Sequence, residues 1–364
     1  MRLFERIHGE DHEQVVYCHD RRSGLRAIIA IHSTRLGPAL GGTRFYPYQA
    51  EEDALEDVLR LSRGMTYKAA AAGLDLGGGK AVIIGDPAVL KSEALLRTYG
   101  RFVDSLGGRY VTAEDVGTTQ ADMDLIRRET PHVAGVSQSL GGSGDPSAAT
   151  AFGVLQGMKA GAAHLWGSPH LAGRHVVVAG VGKVGYGLAR HLVEERARVT
   201  VADVSSSALD RARVDLDVEV TGVEEAYSTP CDILAPCALG GTLDHGTIPN
   251  LKCALVAGAA NNQLADPGCA KLLSDMGVVW CPDFIINAGG IINIAEELGG
   301  YSRDRAFARI KGIYATTAAV LAAAQAEGTT TAEAADRLAE SRIGELERLA
   351  SLRVRPRRGY PAAG

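Results

Sequence analysis

Several features are scarce in this chain of 364 residues. No apolar run reaches the ~20 residues that a membrane-spanning helix needs. The opening Met1-Arg2-Leu3-Phe4-Glu5-Arg6 has no apolar secretory core. Neither a membrane protein nor an exported one is expected. Basic charge is scarce too: 38 Lys and Arg stand against 43 Asp and Glu, a net charge of −5. Nucleic acid and anionic membrane surfaces are therefore not expected partners. The six cysteines (Cys18, Cys231, Cys237, Cys253, Cys269, Cys281) form no CxxC or other metal spacing. Most lie among apolar residues, as small buried hydrophobes do, so no metal is expected and a reducing cytoplasm fits. No internal repeat is found. What remains is an ordinary globular composition, 46% apolar and 22% charged, long enough for two domains with a core each.

The first half alternates strand and helix patterns, which points to an α/β domain. Leu25–His32 and Tyr110–Ala113 read as strands. Gly37–Arg44 reads as a glycine-rich loop. Glu51–Ala72 and Leu90–Leu106 read as helices, the first with an apolar stripe of Ala54, Leu55, Val58, Leu59, Leu61, Ser62 and Met65. Lys68 lies late in that helix. Lys80 follows Gly77-Gly78-Gly79 and opens the buried-strand run Ala81–Ile84. The alanine and glycine residues between the lysines let two ammonium groups share one poorly hydrated place. The competing reading is that both snorkel to water. Asp115, after Tyr110–Ala113, is either a proton-transfer partner of Lys80 or the N-cap of the helix that follows Gly117.

Gly141–Ser147 reads as a domain boundary. A helix over Ala148–Trp166 follows, then a β-branched strand, His175–Gly180. Gly180-Val181-Gly182-Lys183-Val184-Gly185 comes next, with Tyr186 on the helix beyond. A GxGxxG between strand and helix is the dinucleotide fingerprint: a tight turn, close approach of pyrophosphate, and close helix packing. The helix N-terminus offers free N–H groups to an anion. Asp203 ends the next strand at roughly the twenty-residue spacing of an acid on ribose hydroxyls. No arginine is present in Val204-Ser205-Ser206, so NAD is expected over NADP. Asp232–Ala235, Ala254–Ala257 and Val278–Trp280 are further strands, giving a Rossmann-type doubly wound parallel sheet. Asn262 falls after such a strand, facing the ligand crevice or serving a turn. Ile291 and Ile294, three apart on a helix, are core or pocket wall. Asp304–Glu327 reads as one alanine-rich helix. Thr330–Glu333 has capping-box spacing for a last one. Arg353–Gly364, with four arginines and two prolines, reads as a flexible tail.

Seven stretches together resemble the glutamate/leucine/phenylalanine/valine amino-acid dehydrogenases, most closely the leucine enzymes and next the valine ones. They are Gly37–Arg44, Gly64–Lys68, Leu76–Lys80, Thr112–Thr119, Ala235–Gly240, Gly258–Leu264 and Asn287–Gly290. The resemblance runs from about residue 3 to residue 350. It implies a substrate and oligomerisation domain over 1–140, rejoined by a helix at about 330–350. An NAD domain over 141–329 lies across a cleft, with 351–364 beyond. It implies that Lys68 binds the substrate carboxylate, Lys80 is the general base and Asp115 shuttles protons with it. Gly41 and Gly42 form the floor. Thr150 and Asn262 hold the nicotinamide and ribose end, with Ala238 nearby. Leu40, Ala113, Ile291 and Ile294 line the side-chain pocket. A base needs a pKa near working pH, and a second ammonium in a dry pocket supplies that, so the depressed pKa is expected on Lys80. Leucine enzymes commonly carry valine where Ile291 and Ile294 stand; each isoleucine adds a methylene, so a shallower pocket that leans towards valine is expected, with both substrates turning over. The apolar wall speaks against glutamate. The implied activity is reversible, NAD-dependent oxidative deamination of leucine, valine or isoleucine to a 2-oxo acid and ammonia, by a homo-oligomer. A phenylalanine specificity and a catalytically silent nucleotide-binding sensor are the alternatives.

Overall fold

A computed structural model of the chain describes residue 9 and residues 11–350, with the backbone alone over 347–350. Residues 1–8, residue 10 and the arginine-rich end over 353–364 lie outside the described residues. The first lobe is a five-stranded sheet in the order β1-β2-β4-β3-β5. Its strands are β1 (Gln14–Asp20), β2 (Leu25–Ser33), β3 (Ala39–Tyr46), β4 (Gly77–Ile84) and β5 (Tyr110–Glu114). β4 runs antiparallel to β2 and parallel to β3. Helix α1 (Glu51–Ala71) covers one face, packing Leu55, Val58 and Leu59 on Ile28, Ala30 and Val82. Each such side chain contributes about 1.5–3 kcal/mol on burial. Helices α2 (Glu93–Ser105) and α3 (Gln120–Ile126) cover the other face through Leu95, Tyr99, Val103 and Ile126. A sheet covered on both faces explains why seven of the eight β4 residues are buried.

Two expectations fail here. Gly37–Arg44 is not a loop: Ala39 onward is β3. The triple glycine does not precede β4 but forms its first three residues. The reason is space. A Cβ on Gly41 would stand 1.7 Å from the Gly79 carbonyl oxygen, and one on Gly79 would meet the Tyr110 ring at 2.7 Å. These glycines are where neighbouring strands and side chains crowd the backbone, an arrangement that low strand propensity hides.

The second lobe begins with α4 (Ser147–Trp166) and is a six-stranded parallel sheet in the order β11-β10-β9-β6-β7-β8. The strands are β6 (His175–Ala179), β7 (Arg198–Ala202), β8 (Glu219–Val220), β9 (Ile233–Pro236), β10 (Leu255–Val256) and β11 (Val279–Trp280). Helices α5 (Lys183–Glu194), α6 (Ser206–Leu216) and α7 (Gly268–Asp275) connect them. In strand sequence this is 6-5-4-1-2-3, the Rossmann order, with its switch point between β6 and β9. Then come α8 (Asp283–Ile286), α9 (Gly289–Ala295), α10 (Arg303–Ile310), α11 (Ile313–Glu327) and α12 (Thr331–Ala350). The single helix expected over Asp304–Glu327 is two, broken at Lys311-Gly312. Arg305 and Arg309 of α10 both pair with buried Glu296, at 3.0 and 2.7 Å, which fixes the direction of α10. Helix α12 lies against the first lobe: Tyr67 donates to Glu340 at 3.0 Å and Arg342 pairs with Asp75 at 2.9 Å. One apolar cluster spans both lobes, containing Leu40, Ala69 and Val111 from the first and Ile285, Ile286 and Ile291 from the second.

Candidate active site

Successive strand residues alternate between faces, so Lys80 shares its side of β4 with Gly78 and Val82, the side that α1 covers. Gly78 permits the contact: a Cβ there would lie 2.1 Å from the Thr66 amide nitrogen. Two residues on, Lys68 sits in the last turn of α1, where the helix dipole favours a cation. Helix and strand thus bring both lysines to one side of the sheet.

Lys80 is buried, and its Nζ meets Asp115 Oδ2 at 2.6 Å. Arg44 Nε approaches the same oxygen at 3.3 Å, while its Nη1 pairs with Asp57 at 2.7 Å. Gly42 makes room for this acid, since a Cβ there would stand 2.9 Å from Asp115 Cβ. Burial works to raise the Asp115 pKa, but the Lys80 and Arg44 charges outweigh it and hold the carboxyl below its usual value. The N-cap alternative for Asp115 falls: Thr119 caps α3, with Asp122 accepting from the Thr119 amide at 2.8 Å.

Lys68 reaches across the cleft. Its Nζ donates to Asn261 Oδ1 at 3.2 Å, and the same oxygen accepts from Asn287 Nδ2 at 2.9 Å. Burial pushes the Lys68 pKa down to about 8, helped by Lys80 and opposed by Asp283 and Asp115. A depressed pKa thus falls on Lys68, the residue placed to receive the substrate carboxylate. Asp283, at the start of α8, is itself buried and accepts from the Gln263 amide at 2.8 Å. Burial raises its pKa against the pull of that hydrogen bond and of Lys68.

Asn261 belongs to the loop after β10, at the strand ends that carry the glycine turn. There Gly180 has φ +105°, and a Cβ on it would meet the Ala238 Cβ at 2.7 Å. A Cβ on Gly185 would stand 1.9 Å from the Gly180 carbonyl oxygen, whereas one on Gly182 would meet nothing within 4 Å. Tight turn, open approach and close helix packing are thus divided among the three as a dinucleotide requires. No side chain caps α5, so its first N–H groups face the open side. The residues present fit a nicotinamide dinucleotide. Asp203 directly follows β7, accepting from the Val181 amide at 2.7 Å and the Ser205 amide at 2.8 Å. Lys183 pairs with Asp145 of the interlobe loop at 2.7 Å. Val184 is half-buried in α5, and Tyr186 donates to Asp215 at 2.8 Å. Exposed Asn262, at φ +52°, gives its carbonyl to the Gly241 amide at 2.7 Å, so its turn role is present. Thr150 donates to Pro146 O at 3.1 Å and abuts Gly290. Leu40, Ala113 and Ile291 are buried and Ile294 is half-buried; Leu40, Ile291 and Ile294 belong to the interlobe cluster.

Sequence reasoning missed Arg44, Asn261, Asp283 and Arg211. Arg44 follows Gly42 by the strand period of two, a signal lost once β3 is taken for a loop. Arg211 stacks on the Tyr186 ring at 4.4 Å and reaches Val181 O at 3.4 Å, eight residues after Asp203 and so beyond Val204-Ser205-Ser206. Asn261 and Asp283 carry no local signal.

Amines, an acid and a dinucleotide turn meeting at one cleft are the outline of a nucleotide-dependent dehydrogenase. The comparisons agree. A family model for the Glu/Leu/Phe/Val dehydrogenase dimerisation domain matches residues 12–132, and one for Glutamate/Leucine/Phenylalanine/Valine dehydrogenase matches residues 207–350. The chain is 53% identical to a leucine dehydrogenase of Geobacillus stearothermophilus over 351 residues, 96% of each chain. It is 56% identical to a valine dehydrogenase of Streptomyces virginiae over 338 residues, 92% of this chain and 94% of that one. The crystal structure of L-tryptophan dehydrogenase from Nostoc punctiforme matches with TM-score 0.84 and 45% identity, covering 95% of this chain and 99% of that one. The chain belongs to the glutamate/leucine/phenylalanine/valine dehydrogenase family. It is an amino-acid dehydrogenase that works with a nicotinamide cofactor.

Proposed function

We propose that the chain catalyses reversible oxidative deamination of branched-chain L-amino acids, leucine, valine or isoleucine. Amino acid, NAD and water give the 2-oxo acid, ammonia, NADH and a proton. The observation that carries this is the Lys68–Asn261 bridge, which ties the amine site to the nucleotide crevice. Relatives named as leucine and valine dehydrogenases, at more than half identity, support the substrate class.

Lys68 would pair with the substrate carboxylate, an anion that offsets the cost of burying its ammonium. Lys80 would take a proton from the water that adds to the substrate carbon, and Asp115, 2.6 Å away, would relay it. Gly41 and Gly42 would set the floor beside Asp115. Leu40, Ala113, Ile291 and Ile294 would hold the aliphatic side chain. The bound cofactor would supply the hydride acceptor. Gly180, Val181, Gly182, Lys183, Val184, Gly185 and Tyr186 would hold its phosphate side, and Thr150, Ala238 and Asn262 its nicotinamide side. Asp203 would take the ribose hydroxyls and repel a 2′-phosphate, which favours NAD. Residues 1–140 with the helix at about 330–350 would form the substrate unit and 141–329 the cofactor unit. The substrate unit would join copies of the chain into a homo-oligomer, in keeping with the dimerisation-domain match. Six free cysteines are consistent with a cytoplasmic setting.

Mixing the protein with NAD and leucine, valine, isoleucine or phenylalanine, and following NADH absorbance, tests the proposal. Fastest turnover with a branched-chain substrate is expected. No reduction with any amino acid would favour the silent sensor. Lys80→Ala is expected to abolish turnover while NAD still binds; undiminished activity would refute the base assignment.

A further inference from the structure

Far from the amine site, β9 and β10 run side by side with Ile233 opposite Leu255 and Leu234 opposite Val256. Carrying that register back by two residues puts Cys231 opposite Cys253. The backbone keeps the two segments together there. The Cys231 amide donates to Lys252 O at 3.1 Å, and the Ala254 amide donates to Asp232 O at 3.1 Å. Directly opposed residues of neighbouring strands point to the same face, and such strands lie about 4.8 Å apart. That is within the roughly 4.4–6.8 Å between Cα atoms that a disulfide spans. Both side chains lean on the same apolar cluster, and both are partly exposed, whereas Cys18, Cys269 and Cys281 are buried. The pair lies at the start of its strands, the end opposite the glycine turn, so the dehydrogenase chemistry makes no use of it.

We propose that Cys231 and Cys253 are a redox-active thiol pair, which a low-molecular-weight disulfide oxidises to an intramolecular disulfide. The thiols differ in readiness. The Cys231 thiol donates to the Cys253 sulfur, which lowers the Cys253 pKa against the effect of burial and raises that of Cys231. Cys253 therefore attacks first. Its proton passes to solvent, and its sulfur bonds to one sulfur of the small disulfide. The other sulfur leaves as a thiolate with the electron pair. Cys231 then loses its proton to solvent, attacks the Cys253 sulfur and expels the second small thiolate. Two protein thiols are oxidised by two electrons, one small disulfide is reduced to two thiols, and the two protons end on them. The cross-link closes residues 231–253, a segment that includes Ala238 beside the Gly180 turn. In a reducing compartment the pair stays a dithiol until the thiol pool is oxidised.

The test is to incubate the full-length protein with oxidised glutathione, quench with acid, denature, count free thiols and map peptides. The count is expected to fall from six to four. A cross-linked pair of peptides containing Cys231 and Cys253, released by reductant, is expected with it. In Cys231→Ser, Cys253 should instead hold one glutathione adduct and no cross-link. Six thiols remaining in the wild type, or two lost through any other pairing, would overturn the proposal. The wild-type map decides even where the variant fails to fold.

Discussion

Replacing Lys68 with methionine should weaken substrate binding and strengthen the fold. The stem keeps its volume while the charge is removed. Burial takes the Lys68 pKa from 10.5 to about 8, a gap that corresponds to about 3 kcal/mol carried by the charged form at neutral pH. Part of that figure is not recovered. Lys68 is only half-buried, so water screens it, and Asp283 loses its counter-charge. A net gain of about 1 kcal/mol near pH 7 is the working expectation. The sign with pH follows from proton counts. Between about 8 and 10.5 the folded wild type holds fewer protons than the unfolded chain, so the wild type gains stability as pH rises through that window. The advantage of the variant is therefore full below pH 8 and fades towards pH 10. In catalysis, a lost charge-assisted hydrogen bond of about 1.5–3 kcal/mol raises KM for the amino acid roughly 10- to 150-fold. Denaturant unfolding of both proteins across this pH range, with KM measured alongside, gives both numbers. A variant less stable than wild type at neutral pH, or a stability difference flat across the range, would refute the burial argument.

The glycine turn makes a paired prediction. Gly182→Val has room in the free protein, so it should fold normally yet lose NAD binding by titration, whereas Gly185→Ala, 1.9 Å from the Gly180 carbonyl, should unfold at lower denaturant; full NAD affinity in Gly182→Val would refute the approach of the cofactor there. At the pocket wall, Ile291→Val with Ile294→Val removes two methylenes, and each is worth about 1–3 kcal/mol of discrimination. The leucine-to-valine ratio of kcat/KM should rise at least several-fold, and an unchanged ratio would make these residues core alone.

What was legible in the chain was local. The β-branched run of β6 announces a buried strand, and the glycines behind it announce a turn. The capping box at Thr330 forms as its spacing demands, the Thr330 amide donating to Glu333 at 2.9 Å. Strand β3 was not legible, because Ala-Leu-Gly-Gly-Thr has poor strand propensity. It is a strand because β4 and β5 lie on either side of it and the Gly79 carbonyl occupies the place of a Gly41 side chain. The break between α10 and α11 escaped for a similar reason: it answers to Glu296, which is on a different helix turn and leaves no mark on the alanine periodicity.

The site divides the same way. Two lysines around a run of small residues announce an amine pair, but which amine bears the cost of burial depends on what each one faces. Lys80 faces a carboxylate delivered by β5 and held by Arg44 from β3. Lys68 faces Asn261, a neutral amide delivered from the other lobe, with the raised-pKa carboxyl of Asp283 as its other partner in that lobe. An ammonium whose hydrogen-bond partner is neutral keeps more of its desolvation penalty than one paired with an anion. The chain places about two hundred residues between Lys68 and Asn261, so no window of sequence brings the two together. The penalty therefore sits on the amine that an incoming carboxylate would reach, and substrate binding is the event that relieves it.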